Sequence, residues 1–341
     1  MQALDSVSLN ILAPLFNRTG RLNGHPFDPA TPLHLPQGKW KIIHFGMMIP
    51  DLPDPIRFFD IIAILGTASR VPAFAAPSLL TTDPDDAAWL LVGSGTSRDN
   101  FHCYSAEQDC DFADDVSRLR WGDQLTITRT DERITVHANP KGLRAELTVR
   151  PTREVSHFAH LPGLYDHWSI LCEYTGTFMT DDGTVVESSG LTTWEYARGR
   201  SDVPLPIYVF TYQILNISPR VQVLLVELLG PGGVAIQRTV YVRDLDGESR
   251  FYTKGFTHSV SRYLPHTTPD GVEMALPAEL SWSVLDDHGH ELITIRGKAN
   301  DDYAYGMAGG FAGSYEYTGR YKRRPIEGTA YIEWIDRRKQ R

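Results

Sequence analysis

The tetrapeptide Glu173-Tyr174-Thr175-Gly176 returns as Glu316-Tyr317-Thr318-Gly319, and the pattern that follows it returns too. After the first copy, Thr177-Phe178 leads through Asp181-Asp182-Gly183 into a strand-like run that reaches Glu195. After the second, Arg320-Tyr321 leads through Lys322 to Pro325 into a run that reaches Glu333. In both, a glutamate falls five residues after a glycine (Gly190 and Glu195, Gly328 and Glu333) and a tryptophan stands beside it, Trp194 or Trp334. The copies lie too far apart to be neighbouring units of a solenoid. They predict two lobes, each closing with the same two-strand hairpin.

The rest of the chain reads as short strands. Phe58 to Leu65 and Trp89 to Val92 are almost wholly apolar, while Phe101 to Gln108 and Leu143 to Val149 alternate with a period of two. Leu125–Thr128 and Ile134–His137 flank Thr130-Asp131-Glu132 as a hairpin. After Ala197 to Pro206, which reads as a linker, strands resume at Ile207–Ile214, Val221–Leu229 and Val234–Val242. With almost no 3.6-residue periodicity and frequent Gly and Pro, the expectation is an all-β chain. Two barrels would remove exposed edges and enclose cavities; two β-sandwiches would give the same alternation. The expected boundaries are an N-terminal arm at 1–37, a first lobe at 38–200 and a second at 201–341.

A formal charge of −9 argues against a nucleic-acid surface, which needs clustered Lys and Arg. Three cysteines, Cys103, Cys110 and Cys172, lack any CxxC spacing and fit a reducing compartment. The first residues carry no basic stretch ahead of an apolar core, and no apolar run approaches the roughly 20 residues of a membrane helix. A cytoplasmic protein is expected, with no nucleic-acid partner and no transmembrane segment.

WEYARGR at 194–200, LPIYVFTYQI at 205–214, the two EYTG copies and IEGTAYIEW at 326–334 together resemble the double-lipocalin proteins. These include carotenoid 1,2-hydratases, AttH-like proteins and fungal Diels–Alder cyclases. The resemblance implies two lipocalin-like (calycin-like) antiparallel β-barrels packed together, an apolar ligand in a cavity or between the lobes, and no organic cofactor. It implies a hydratase or cyclase of an isoprenoid- or polyketide-like alkene, or alternatively a non-enzymatic carrier of a lipid or pigment. Where hydratases often have a histidine after the glutamate, this chain has Tyr196.

Protonating an unactivated alkene requires an acid that keeps its proton near neutral pH, which burial of a carboxyl supplies. Glu173, Glu195, Glu227, Glu316 and Glu333 all lie in apolar or aromatic strands. Glu195, between Trp194 and Tyr196, is the first choice as catalytic acid, and Glu227 the second. Tyr208 and Tyr212 share a strand face with Phe210 and are expected to touch a ligand, as is Trp194. Trp40, His44, His102 and Tyr104 are expected to line the first lobe, with His167 at a cavity mouth. His157, His160 and His167 with Asp166 cluster in sequence, but the interval lacks the helical spacing of a metalloprotease site. No metal site is expected.

Overall fold

Residues that alternate in polarity along a strand leave one face to bury, and here they pair into two antiparallel sheets. The computed structural model describes residues 19–71, 74–202, 207–269, 271–306 and 308–338. Residues 1–18 of the expected arm and 203–206 of the expected linker lie outside these. Regular elements among the described residues are strands and short 3-10 turns, and no helix is long and apolar enough to cross a membrane.

The first sheet comprises β1 (Ile42–Ile49), β2 (Phe59–Gly66), β3 (Ala87–Ser94), β4 (Phe101–Ser105), β5 (Cys110–Phe112), β6 (Arg118–Trp121), β7 (Leu125–Arg129), β8 (Ile134–Ala138), β9 (Leu143–Leu161), β10 (Tyr165–Thr180) and β11 (Val185–Gly199). Its order is β4-β3-β2-β1-β11-β10-β9-β8-β7-β6-β5. The two end strands, β4 and β5, are consecutive in the chain and joined by one turn, with Asp109 N–H donating to Ser105 O at 3.0 Å. The sheet is thereby nearly closed into a barrel. Phe45, Trp121, Phe178, Trp194 and Tyr196 fill it. The described part of the N-terminal segment packs against it: Phe27 N–H donates to Arg153 O at 2.7 Å, and the Phe27 ring lies 4.9 Å from that of Trp168.

The second sheet comprises β12 (Val209–Ser218), β13 (Val221–Leu229), β14 (Ala235–Asp244), β15 (Arg250–Tyr252), β16 (Thr257–Thr267), β17 (Glu273–Leu285), β18 (Glu291–Ala299), β19 (Ala304–Gly306), β20 (Gly310–Tyr321) and β21 (Arg324–Asp336). The order is β15-β14-β13-β12-β21-β20-β18-β17-β16, with β19 on β20. Where a second closed barrel was expected, this sheet stays open between β15 and β16, which share no ladder. Side chains span the seam instead. Glu227 of β13 is buried between Arg238 of β14 (2.8 Å) and His258 of β16 (2.7 Å).

The repeated hairpins occupy equivalent places. β11 lies between β10 and β1, and β21 lies between β20 and β12. The repeated glycine has a steric cause, because a Cβ on Gly176 would crowd Leu147 and the Glu146 carbonyl, and one on Gly319 would overlap the Thr294 carbonyl oxygen. Both glycines let neighbouring strands approach as the sheet coils. Gly319→Ala must displace backbone and is expected to destabilise the fold by about 1–3 kcal/mol. Gly176→Ala meets the movable end of Leu147 and presses its nearest carbonyl, that of Glu146, less closely than Gly319→Ala presses that of Thr294, and is expected to cost less. Urea midpoints of the two variants check that order.

Candidate active site

In a strand, neighbouring side chains point to opposite faces. Trp194 packs in the first core and Trp334 in the second, so Glu195 and Glu333 turn outward to where the sheets meet. A third cluster fills that junction, joining Met48, Phe58 and Ile62 to Tyr212, Val226 and Tyr331. Beside it lies a cavity of about 150 Å³. Its walls are mostly apolar, among them Ile42, Phe158, Leu161, Phe210 and Val226, and His44, His167, Glu195, Tyr212 and Glu333 bring the polar groups.

Glu195 stands opposite Gly46 on β1, whereas Glu333 stands opposite Tyr212 on β12. A Cβ on Gly46 would press on Glu195 Cβ and His44 Nε2, so the glycine leaves open the space above Glu195. Tyr212 reaches across from the other sheet and donates to Glu195 Oε1 at 2.6 Å. His167 Nε2 lies 3.6 Å from Oε2. Burial alone would raise the Glu195 pKa, but His167, the Tyr212 hydroxyl and His44 outweigh it and hold it below the ordinary carboxylate value. His44 bonds through Nδ1 to Ala63 O at 3.0 Å. Burial, reinforced by His167, lowers the His44 pKa to about 4, so it is a neutral imidazole with its proton on Nδ1. Behind Tyr212 and Glu195 lies the fully buried Arg243, which donates to Ser169 O at 3.1 Å, to Ser169 Oγ at 3.0 Å and to Gln222.

Glu333 has the opposite environment. Among the described residues it has no cationic partner; burial, then the charges of Glu195 and Asp60, push its pKa well above the ordinary value. Tyr331 OH lies 3.1 Å from Glu333 Oε1 and 2.9 Å from Asp60 Oδ2. One hydroxyl carries one proton, so satisfying both contacts requires that a carboxyl hold a second. Asp60 also accepts from Gly93 N–H at 2.6 Å, which compensates its charge better than anything at Glu333. The proton accordingly belongs on Glu333, with Asp60 behind it, raised by burial to about 7.

Asp60 carries a pH signature. Its carboxyl keeps a proton in the folded chain that the unfolded chain releases above pH 3.8, so its contribution weakens as pH rises from 3.8 to about 7. At about 1.4 kcal/mol per unit the loss amounts to roughly 4 kcal/mol. Asp60→Asn keeps an acceptor for Gly93, donates to Tyr331 and cannot ionise. Relative to the wild type, its thermal midpoint is expected to gain steadily across that window and to exceed the wild type's above it. A parallel decline in both proteins would refute the assignment.

Of the residues singled out in sequence, His44, His167, Glu195 and Tyr212 converge on this cavity. Glu227 does not: it sits at the seam of the second sheet, and although burial opposes its charge, His258 and Arg238 hold its pKa down, leaving no proton to give. Trp194 faces the first core, 6.0 Å from Phe45. Trp40 lies under Arg198 at 4.7 Å, Tyr104 OH donates to Gln124 at 2.5 Å, His102 is exposed and Tyr208 half-buried; none of these lines the cavity. The His160–Asp166 contact (2.7 Å) continues to Arg198 (2.8 Å), while His167 turns the other way. Asp60, Tyr331 and Arg243 escaped sequence reading. The lone acid within the apolar run Phe58 to Leu65 was the legible sign of Asp60.

Fold and cavity define a calycin-like double-sheet protein with its polar groups at the sheet junction. The chain belongs to the family of unknown function DUF6670, whose model matches residues 62–341. No curated protein matches it. Among solved structures it is similar to a protein provisionally described as AttH from Nitrosomonas europaea, with 14% identity, a TM-score of 0.64 and coverage of 91% of this chain and 98% of that one. It is also similar to kievitone hydratase from Nectria haematococca, at 10% identity, a TM-score of 0.52 and coverage of 92% and 98%. CghA with Sch210972 gives 10%, 0.53, 92% and 95%. At these identities the likeness is one of fold.

Proposed function

We propose that this chain is a hydratase or cyclase that protonates an apolar, isoprenoid- or polyketide-like alkene in the cavity between its sheets, with Glu333 as acid and Glu195 as base. One observation carries the reading: two carboxyls face one apolar cavity, and their surroundings drive them to opposite protonation states. Such divergence marks acid and base roles. It moves the acid from Glu195, the sequence choice, to its repeat counterpart. The AttH-like fold and the hydratase named among its structural relatives fit this class.

In the proposed step, the Glu333 O–H proton forms the new C–H bond and leaves a carboxylate. The rings of Phe158, Phe210 and Tyr212 and the charge of Glu195 face the resulting carbocation. Water held by Glu195 and His167 adds to it and loses a proton to Glu195; in a cyclisation a second alkene takes the water's place and a ring C–H proton goes to Glu195. Tyr331 bridges Glu333 to Asp60, a second buried carboxyl that can hand a proton back. A cavity of about 150 Å³ is the size of one that admits a benzene ring, so one ring or prenyl unit reaches the acid while the rest of the substrate lies toward the half-exposed Arg200 at the rim.

The test is incubation of the purified protein with an apolar metabolite extract, reading both bound and converted mass. Hydrated or isomeric product is expected. A compound retained without any change of mass or structure would overturn the enzyme reading in favour of a lipid or pigment carrier.

A further inference from the structure

His44, His167 and Glu195 come from three adjacent strands, β1, β10 and β11, and present one donor atom each, all within 4.8 Å of one another. The far side of every one of these groups is already held. His44 Nδ1 is on Ala63 O at 3.0 Å, His167 Nδ1 on Tyr165 OH at 3.2 Å, and Glu195 Oε1 on Tyr212 OH at 2.6 Å. The atoms left over are His44 Nε2, His167 Nε2 and Glu195 Oε2. His167 Nε2 is buried without a hydrogen-bond partner, and an orphaned polar atom of this kind requires an explanation.

Its 3.6 Å separation from Glu195 Oε2 is too long for a hydrogen bond. It is close to the edge of a coordination tetrahedron with bonds of about 2.1 Å, which is about 3.4 Å. Histidine ligands of metals characteristically donate their other ring N–H to a carbonyl or a polar side chain, which fixes the ring and the tautomer. Both imidazoles here have that partner. We propose that His44 Nε2, His167 Nε2 and Glu195 Oε2 bind a divalent transition-metal ion of the zinc class, with its remaining position open to the cavity.

Two imidazoles and one carboxylate suit such an ion better than magnesium or calcium, which take all-oxygen sets. With the ion in place, its bound water stands where the His167–Glu195 pair otherwise holds one. The site was invisible in sequence because its three ligands share no local spacing. The inference rests on the convergence of these atoms and does not require Glu333 to act as an acid.

The experiment strips the full chain with a chelator and titrates it with Co²⁺, following the visible bands of low-coordinate cobalt, and then with Zn²⁺ as competitor. One Co²⁺ per chain, displaced by Zn²⁺, is expected, with Zn²⁺ raising the thermal midpoint. His44→Ala and Glu195→Gln are expected to abolish the bands. Tyr165→Phe, which keeps the ring but frees His167 Nδ1, is expected to weaken Co²⁺ binding about 10- to 100-fold. Glu333→Gln is expected to retain the bands, separating this site from the acid. Absence of bands in the wild type, or bands that survive both His44→Ala and Glu195→Gln, would overturn the proposal.

Discussion

Glu333→Gln is expected to lower turnover of any alkene the wild type converts by about 10²- to 10⁴-fold, the usual contribution of a positioned general acid, without loss of the fold. The amide has the volume of the acid, donates to Tyr331 as the neutral carboxyl would, and leaves Tyr331 free to donate to Asp60. It also removes a group whose ionisation the site resists, so the thermal midpoint at neutral pH is expected to hold or rise. Such an opposition of stability and activity is common where a buried polar group serves chemistry. Because burial and the nearby charges of Glu195 and Asp60 raise the Glu333 pKa, wild-type activity is expected to persist above the ordinary carboxylate range and to fall as pH rises through that elevated value. Single-turnover conversion and ligand retention, measured on the same samples, separate lost chemistry from lost binding. Undiminished turnover in Glu333→Gln would remove the acid role assigned here and return Glu195 to consideration.

The repeat made the most important structural relation legible. Glu195 and Glu333 occupy equivalent positions in the sequence because β11 and β21 are equivalent strands. A duplicated position can serve the scaffold alone, which by itself argues against catalysis. In the structure the two copies meet in one cavity, where different neighbours shift their pKa values in opposite directions. Sequence could not show this division, because Asp60, His44 and His167 come from three other strands and only Tyr331 shares a strand with Glu333. Among the strands, β16 carries only Val260 and Leu264 as aliphatic residues on its half-buried face, beside His258 and His266, so no hydrophobic alternation marks it. The long β9 was read only to Val149, where Pro151 interrupts the pattern. In the sheet, a register shift opposite Ile170 and Cys172 absorbs the proline and pairing continues.

Arg243→Met is expected to destabilise the chain by about 3–5 kcal/mol at neutral pH, the range for removing one partner of a buried charged set. Methionine keeps much of the volume, so the loss falls mainly on what the guanidinium contacts: Ser169 across the junction, Gln222 beside it, and the favourable charge it shares with Glu195. Without that cation the Glu195 carboxylate loses a favourable charge, and its folded pKa is expected to rise. The destabilisation should then shrink as pH falls and Glu195 takes a proton. Glu195→Gln in the Arg243→Met background should recover more stability than Glu195→Gln yields alone. Urea midpoints of the four proteins at about pH 7 and pH 5 complete the cycle, and effects that add within about 0.5 kcal/mol would show that the two charges act independently. The coupling is more than a stability detail. Arg243 belongs to the second sheet and Ser169 and Glu195 to the first, so a buried cation that shares favourable charge with Glu195 also fixes the sheet junction across which Tyr212 reaches it.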